Sequence, residues 1–141
     1  MREMDGEREE ASMDPTSVMV VDDEQIVCDR LKDHLEGHGF RVDTFTEGTS
    51  ALQALEGKRY HVLVTDLKMA GPSGLDVLHN VRARGYPTQV IVITGYASLE
   101  AAREAEAAGA YDFLCKPFEL KDLTKLVRRA AKRAQRGVGP G

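Results

Sequence analysis

Five short apolar runs, each giving way to polar or turn-forming residues and then to a stretch of helical periodicity, constrain this chain more than any other feature. Val18-Met19-Val20-Val21 and Val90-Ile91-Val92-Ile93 are continuous and aliphatic, as strands buried on both faces are. Val62-Leu63-Val64-Thr65 is similar and runs straight into Asp66 and a Gly71-Pro72-Ser73-Gly74 turn. Phe40 to Phe45 alternates apolar with polar residues and suits a strand with one wetter face, and Ala110 to Cys115 makes the last strand. Helices are predicted from about Glu24 to His38, from Glu47 to Leu55, and through Leu75, Val77, Leu78 and Val81. Two more run from an N-cap at Ser98 to a stop at Gly109, and from Glu119 to Ala134. Strands and helices alternating in this way require right-handed crossovers. The expected fold is therefore α/β: one doubly wound, five-stranded parallel sheet in the flavodoxin-like order 2-1-3-4-5, with helices on both faces.

The chain's 141 residues suffice for one domain with a real core, and 42% hydrophobic with 30% charged residues is a globular balance. At a net charge of −4 the total favours neither nucleic acid nor an anionic membrane as partner. No apolar stretch approaches the roughly 20 residues that span a bilayer, and no signal pattern opens the chain, so a cytoplasmic location is expected. Cys28 and Cys115 lack any CxxC or metal-ligand spacing and are expected to be buried free thiols. Residues 1–16 carry Glu3, Asp5, Glu7, Glu9, Glu10 and Asp14 against Arg2 and Arg8, a composition expected to give a disordered acidic tail. The folded domain is expected over 17–135, with 136–141 a linker or tail. The basic end of the last helix, Lys125 to Arg136, reads as solvated cations at a dipole-compatible terminus rather than a nucleic-acid patch.

The informative residues stand where the strands end. Asp22 and Asp23 come after the first strand, Asp66 after the third, Thr94 after the fourth and Lys116 after the fifth. In a parallel sheet all of these emerge on one rim, where open α/β sheets bind their ligands. A lone Asp66 would read as a turn or cap residue, but three carboxylates, a hydroxyl and an ammonium together do not. Carboxylates that close repel by about 4 kcal/mol per pair at 4 Å and an effective dielectric of 20, which a hard cation such as Mg2+ relieves. Lys116 offers a positive point charge to an anion, Thr94 a hydrogen bond, and Gly95 leaves room beside it. Such a set describes phosphoryl transfer onto an Asp.

From Val18 to Ala134 the chain resembles the receiver domains of two-component response regulators, on Asp22-Asp23, Asp66, Thr94-Gly95 and Lys116-Pro117 in order. The wording around Val92-Ile93-Thr94-Gly95-Tyr96 and Tyr111 to Phe118 is most similar to receivers of enhancer-binding transcription activators. The resemblance implies that Asp66 accepts a phosphoryl group from a histidine kinase. It implies that Asp23, Asp66 and the backbone carbonyl of Lys68 ligate Mg2+, with Asp22 acting mainly through water. Lys116 would contact the phosphoryl oxygens, and its bond to Pro117 would be cis. Thr94 and Phe113 would be the switch positions, the hydroxyl drawn toward the phosphate and the ring turning into the space behind it. Phe113 has no hydroxyl to keep wet, so its inward state is expected to cost less than a tyrosine's. Lys68 and Tyr96 are expected to flank the path of an attacking water and to slow self-dephosphorylation.

The implied role is a signalling switch, not an enzyme beyond its own phosphorylation and dephosphorylation. Its partners would be a sensor kinase, an output domain or target with a transcriptional role, and a second copy through the fourth helix, last strand and fifth helix. Neither a membrane nor direct nucleic-acid contact is expected. An Asp-nucleophile phosphohydrolase is the first rival, but it needs an acid two residues after the nucleophile, where this chain has Lys68. A flavin module would need a first loop that welcomes phosphate, and Asp22-Asp23-Glu24 repels it. A docking domain that works without phosphorylation is the third alternative. His34, His38, His61 and His79 lack a metal-ligand constellation and read as surface residues.

Overall fold

The computed structural model describes residues 15–69, 71–95 and 99–136. Five parallel strands lie in the order β2-β1-β3-β4-β5. They are β1 (Ser17–Val21), β2 (Arg41–Phe45), β3 (Val62–Asp66), β4 (Gln89–Thr94) and β5 (Asp112–Cys115). The helices are α1 (Gln25–Gly37), α2 (Gly48–Gly57), α3 (Gly74–Ala83), α4 (Leu99–Ala107) and α5 (Leu120–Gln135). Fold and strand order are as the alternation of elements predicted, with element ends shifted by one or two residues. Ser98, the expected cap of α4, lies outside the described residues, as do 1–14 of the expected acidic tail.

Side chains alternate across the sheet and divide the core in two. Val18, Val20, Val62, Val64, Ile91 and Ile93 meet Leu31 and Leu35 of α1 and Leu123 and Val127 of α5. Met19, Val21, Leu63, Val90 and Val92 face Ala51 and Leu55 of α2, Val77, Leu78 and Val81 of α3, and Ala105 of α4. All residues of β1, β3 and β4 are buried, which is why their sequences show no polar alternation. The edge strands β2 and β5 are only partly covered.

Two helices start where tertiary contact demands glycine. A Cβ on Gly74 would overlap the carbonyl oxygen of Asp66 and stand 3.0 Å from the Leu67 Cα, so α3 begins directly against the end of β3. A Cβ on Gly48 would overlap the Pro72 carbonyl oxygen and stand 2.8 Å from its Cβ, which ties α2 to the same loop. The first turn of α3 is closed by a capping box, Asp76 N–H donating to Ser73 Oγ at 3.2 Å and Ser73 N–H to Asp76 Oδ2 at 2.9 Å.

The histidines are not uniformly surface residues. His79 and His38 are exposed, but His34 Nε2 lies 2.8 Å from Thr124 Oγ1 across the α1–α5 contact. His61 is half-buried at the opposite edge of the sheet from the acidic rim, and its Nδ1 accepts the Ser17 backbone N–H at 3.0 Å. That bond requires an unprotonated Nδ1, and burial lowers the His61 pKa from its ordinary 6.5. The neutral ring's contribution is thus intact above about 6.5 and is lost as pH falls from there toward the folded value, because the unfolded chain takes up the proton first. Between pH 7 and 5, urea midpoints of His61→Asn should fall less than those of the unsubstituted chain. Gly74→Ala should cost about 1–3 kcal/mol in urea unfolding through overpacking. Gly57→Ala, whose Cβ would meet nothing within 4 Å, should cost none.

Candidate functional site

The carboxyl ends of β1, β3 and β5 bring their polar residues to one rim, as parallel pairing requires. Lys116 Nζ donates to Asp22 Oδ2 at 3.1 Å and to Asp66 Oδ2 at 3.2 Å. The Asp22 side chain is fully buried, that of Asp66 is 11% exposed and that of Lys116 28%. Asp23 projects outward, yet one carboxylate oxygen from each of Asp22, Asp23 and Asp66 lies within 4.8 Å of the others. Three carboxylates with only two of them sharing the Lys116 ammonium, and all offering oxygen donors within one ion's reach, fit a hard divalent cation.

Each of these groups is placed by backbone. Asp22 N–H donates to the Phe45 carbonyl at 3.1 Å, which anchors the β1–α1 loop to the end of β2. Its Oδ1 accepts the Glu24 N–H at 2.9 Å, so both Asp22 oxygens are engaged inside the protein. Asp66 Oδ1 accepts the Lys68 N–H at 3.3 Å, and the Leu67 N–H reaches the Ile93 carbonyl at 3.0 Å. The Lys116 N–H donates to the Thr94 carbonyl at 2.8 Å, and the Lys116–Pro117 peptide is cis, as the resemblance implied. Beneath the cluster, Cys28 Sγ donates to the Asp22 carbonyl at 3.3 Å.

Burial pushes the Asp66 carboxyl above its ordinary range, against the opposing charge and hydrogen bond of Lys116. Burial alone would lower the Lys116 pKa, but the hydrogen bond and charge of Asp22, joined by those of Asp66, outweigh it and raise it. The ammonium is therefore the fixed charge of the site, and it offsets only part of the cost that burial places on the Asp66 carboxylate. The chemistry available is that of a partly exposed carboxylate oxygen with a cation at its side.

Thr94 is 2% exposed at the end of β4, and Phe113 packs half-buried against the α2–α4 side of the sheet. Val92 pairs with Phe113 and Thr94 with Cys115, so Thr94 and Phe113 fall on one face, two residues apart along neighbouring strands. Tyr96 lies outside the described residues, and Lys68 is exposed. Cys28 is buried as expected, whereas Cys115 is only partly so because β5 is an edge strand. Two contributors were not apparent from residue chemistry: the Glu24 N–H that holds Asp22, and Gly74, whose missing side chain lets α3 abut Asp66. For the second, the Gly71-Pro72-Ser73-Gly74 turn is the visible signal.

Comparison with known proteins agrees with this geometry. The family model described as the response regulator receiver domain matches residues 18–128. Over 123 residues the chain is 37% identical to the DNA-binding transcriptional regulator NtrC of Escherichia coli, covering 87% of this chain and 26% of that protein. It is 34% identical over 118 residues to the transcriptional regulatory protein FixJ of Bradyrhizobium diazoefficiens, covering 84% and 58%. The chain thus spans about a quarter to somewhat over half the length of these relatives. Among solved structures, a response regulator receiver domain protein of Clostridium thermocellum superposes with a TM-score of 0.81 at 30% identity, covering 87% of this chain and 99% of that one. The beryllofluoride-activated NtrC4 receiver domain dimer gives 0.79 at 30% identity, covering 84% and 98%. With its sheet order, its acidic rim and its bridging lysine all in place, this chain belongs to the receiver domain family of two-component response regulators.

Proposed function

We propose that the chain is a phosphorylation-dependent switch in which Asp66 takes a phosphoryl group from a histidine kinase. The observation that carries this is the single ammonium of Lys116 shared by Asp22 and Asp66 at a solvent-reached rim, with Asp23 beside them. In the transfer an Asp66 carboxylate oxygen forms a bond to the donor's phosphorus, the donor's bond to phosphorus breaks, and its electron pair leaves with the donor. Lys116, already at hydrogen-bond distance from Asp66, is placed to hold the incoming phosphoryl oxygens.

Asp23, Asp66 and the Lys68 carbonyl would hold Mg2+, and Asp22, whose oxygens are both engaged, would act through water. When bound, the ion supplies charge neutralisation for the crowded carboxylates and the phosphoryl oxygens. The product carries roughly −1.5 to −2 charges and three acceptor oxygens, and the Thr94 hydroxyl is the nearby neutral donor. Movement of Thr94 toward it vacates space on the face that Phe113 shares, and the ring turns into that space. The α4–β5–α5 surface so altered meets the output domain or partner, or a second copy; the NtrC4 receiver, whose structure is described as an activated dimer, is the precedent. An exposed Leu99 at the start of α4 suits such a contact. A cytoplasmic location follows from this role, and no described helix is long and apolar enough to cross a membrane. Lys68 in place of an acid argues against a phosphohydrolase.

Incubation with Mg2+ and a small acyl phosphate should add one phosphoryl group by intact mass, and none to Asp66→Asn or after chelation of the metal. A variant Asp66→Asn that still gains the group would overturn the assignment. Phe113→Tyr should weaken the unphosphorylated chain's affinity for its partner by about 5-fold or more, since an inward tyrosine must bury its hydroxyl at a cost of about 1–3 kcal/mol if unpaired. Titration calorimetry of both chains before and after phosphorylation checks this, and a variant whose affinities match those of the unsubstituted chain in both states would refute it.

A further inference from the structure

Beyond the acidic rim, the exposed face of α5 is strongly basic. Lys121, Lys125, Arg129, Lys132 and Arg136 follow one another at intervals of three or four residues and are all exposed, so they form one stripe along the helix. Lys121 pairs with Glu119 at 3.4 Å. Among the described residues, none of Lys125, Arg129, Lys132 and Arg136 has a carboxylate at ion-pairing distance. Cations suit the C-terminal end of a helix, but four in a row repel one another and attract a polyanion.

The same chain carries one. Residues 1–14 hold Glu3, Asp5, Glu7, Glu9, Glu10 and Asp14 against Arg2 and Arg8, which amounts to the whole net charge of −4. Where this segment joins the fold is also fixed: Thr16 Oγ1 accepts from Gln135 Nε2 at 3.1 Å, in the last turn of α5, and the Thr16 carbonyl accepts the Arg41 N–H at 2.9 Å. Fourteen residues reach up to about 46 Å when extended, whereas the 16 residues of α5 span about 24 Å. Tethering at that point gives the segment an effective concentration at the stripe on the order of millimolar, ahead of a dilute external polyanion.

We propose that the acidic N-terminal segment, residues 1–14, docks along the basic stripe of α5 in the same chain. The contact is electrostatic, so salt releases it, and it makes access to α5 dependent on ionic strength.

Zero-length carbodiimide cross-linking of the full chain, as an equal mixture of normal and 15N-labelled protein, tests this. The expected products join Glu7, Glu9 or Glu10 to Lys125 or Lys132 within one isotope, and fall at least fivefold between 0.01 M and 1 M NaCl, as the screening length drops from about 30 Å to 3 Å. Mixed-isotope products would assign the stripe to a second copy, and products scattered over Lys32 and Lys58, or none, would equally overturn the proposal. In a second arm, the full-length Lys125→Glu, Lys132→Glu variant should move the amide resonances of residues 3–10 at low salt. Unmoved resonances would overturn it. So would a short DNA duplex binding the unsubstituted chain as tightly as the Glu7→Gln, Glu9→Gln, Glu10→Gln variant, since the stripe would then be an uncovered nucleic-acid surface.

Discussion

One ammonium holds the acidic rim together. Lys116 stands between Asp22 and Asp66, both largely withdrawn from water, and is the counter-charge that these two carboxylates share. Unpaired buried charges cost several kcal/mol, which is why the rim needs the end of β5 brought beside those of β1 and β3. The sheet order supplies that: β3 lies next to β1, and β4 spaces β5 away by one strand, a gap the four-carbon stem of a lysine spans.

The outline of this arrangement was legible because parallel strands convert a linear pattern into a shared edge. An apolar run ending in a polar residue, repeated along the chain, predicts which side chains will meet without any knowledge of distance. β1, β3 and β4 were plain because they are buried on both faces, and each carries a run of three or four consecutive Val, Ile, Leu or Met residues. The edge strand β5 was legible as a strand but not as half-exposed, since nothing in Asp112-Phe113-Leu114-Cys115 says that no sixth strand covers it.

Long-range partners were beyond local pattern. His61 looked like any histidine at a strand start, and only the pairing of β1 with β3 reveals that its ring takes the Ser17 N–H. Asp43 is similar: Lys58 Nζ at 2.9 Å and Tyr60 Oη at 2.6 Å both donate to it across 15 and 17 residues of chain. Those two hydrogen bonds, Lys58's first, hold the Asp43 carboxyl below its usual range. By contrast, the Ser73-to-Asp76 box is a purely local signal, written in the three-residue spacing itself.

The contact between Gly74 and the Asp66 backbone leaves no room for a side chain on one side of Asp66. Helix α3 and the end of β3 are in backbone contact there, with space for glycine alone. On the other side β5 is thinly covered and Phe113 half-exposed. Cover around the rim is therefore lopsided, close-packed toward α3 and thin toward β5, so a rearrangement at the rim meets less steric resistance on the β5 side.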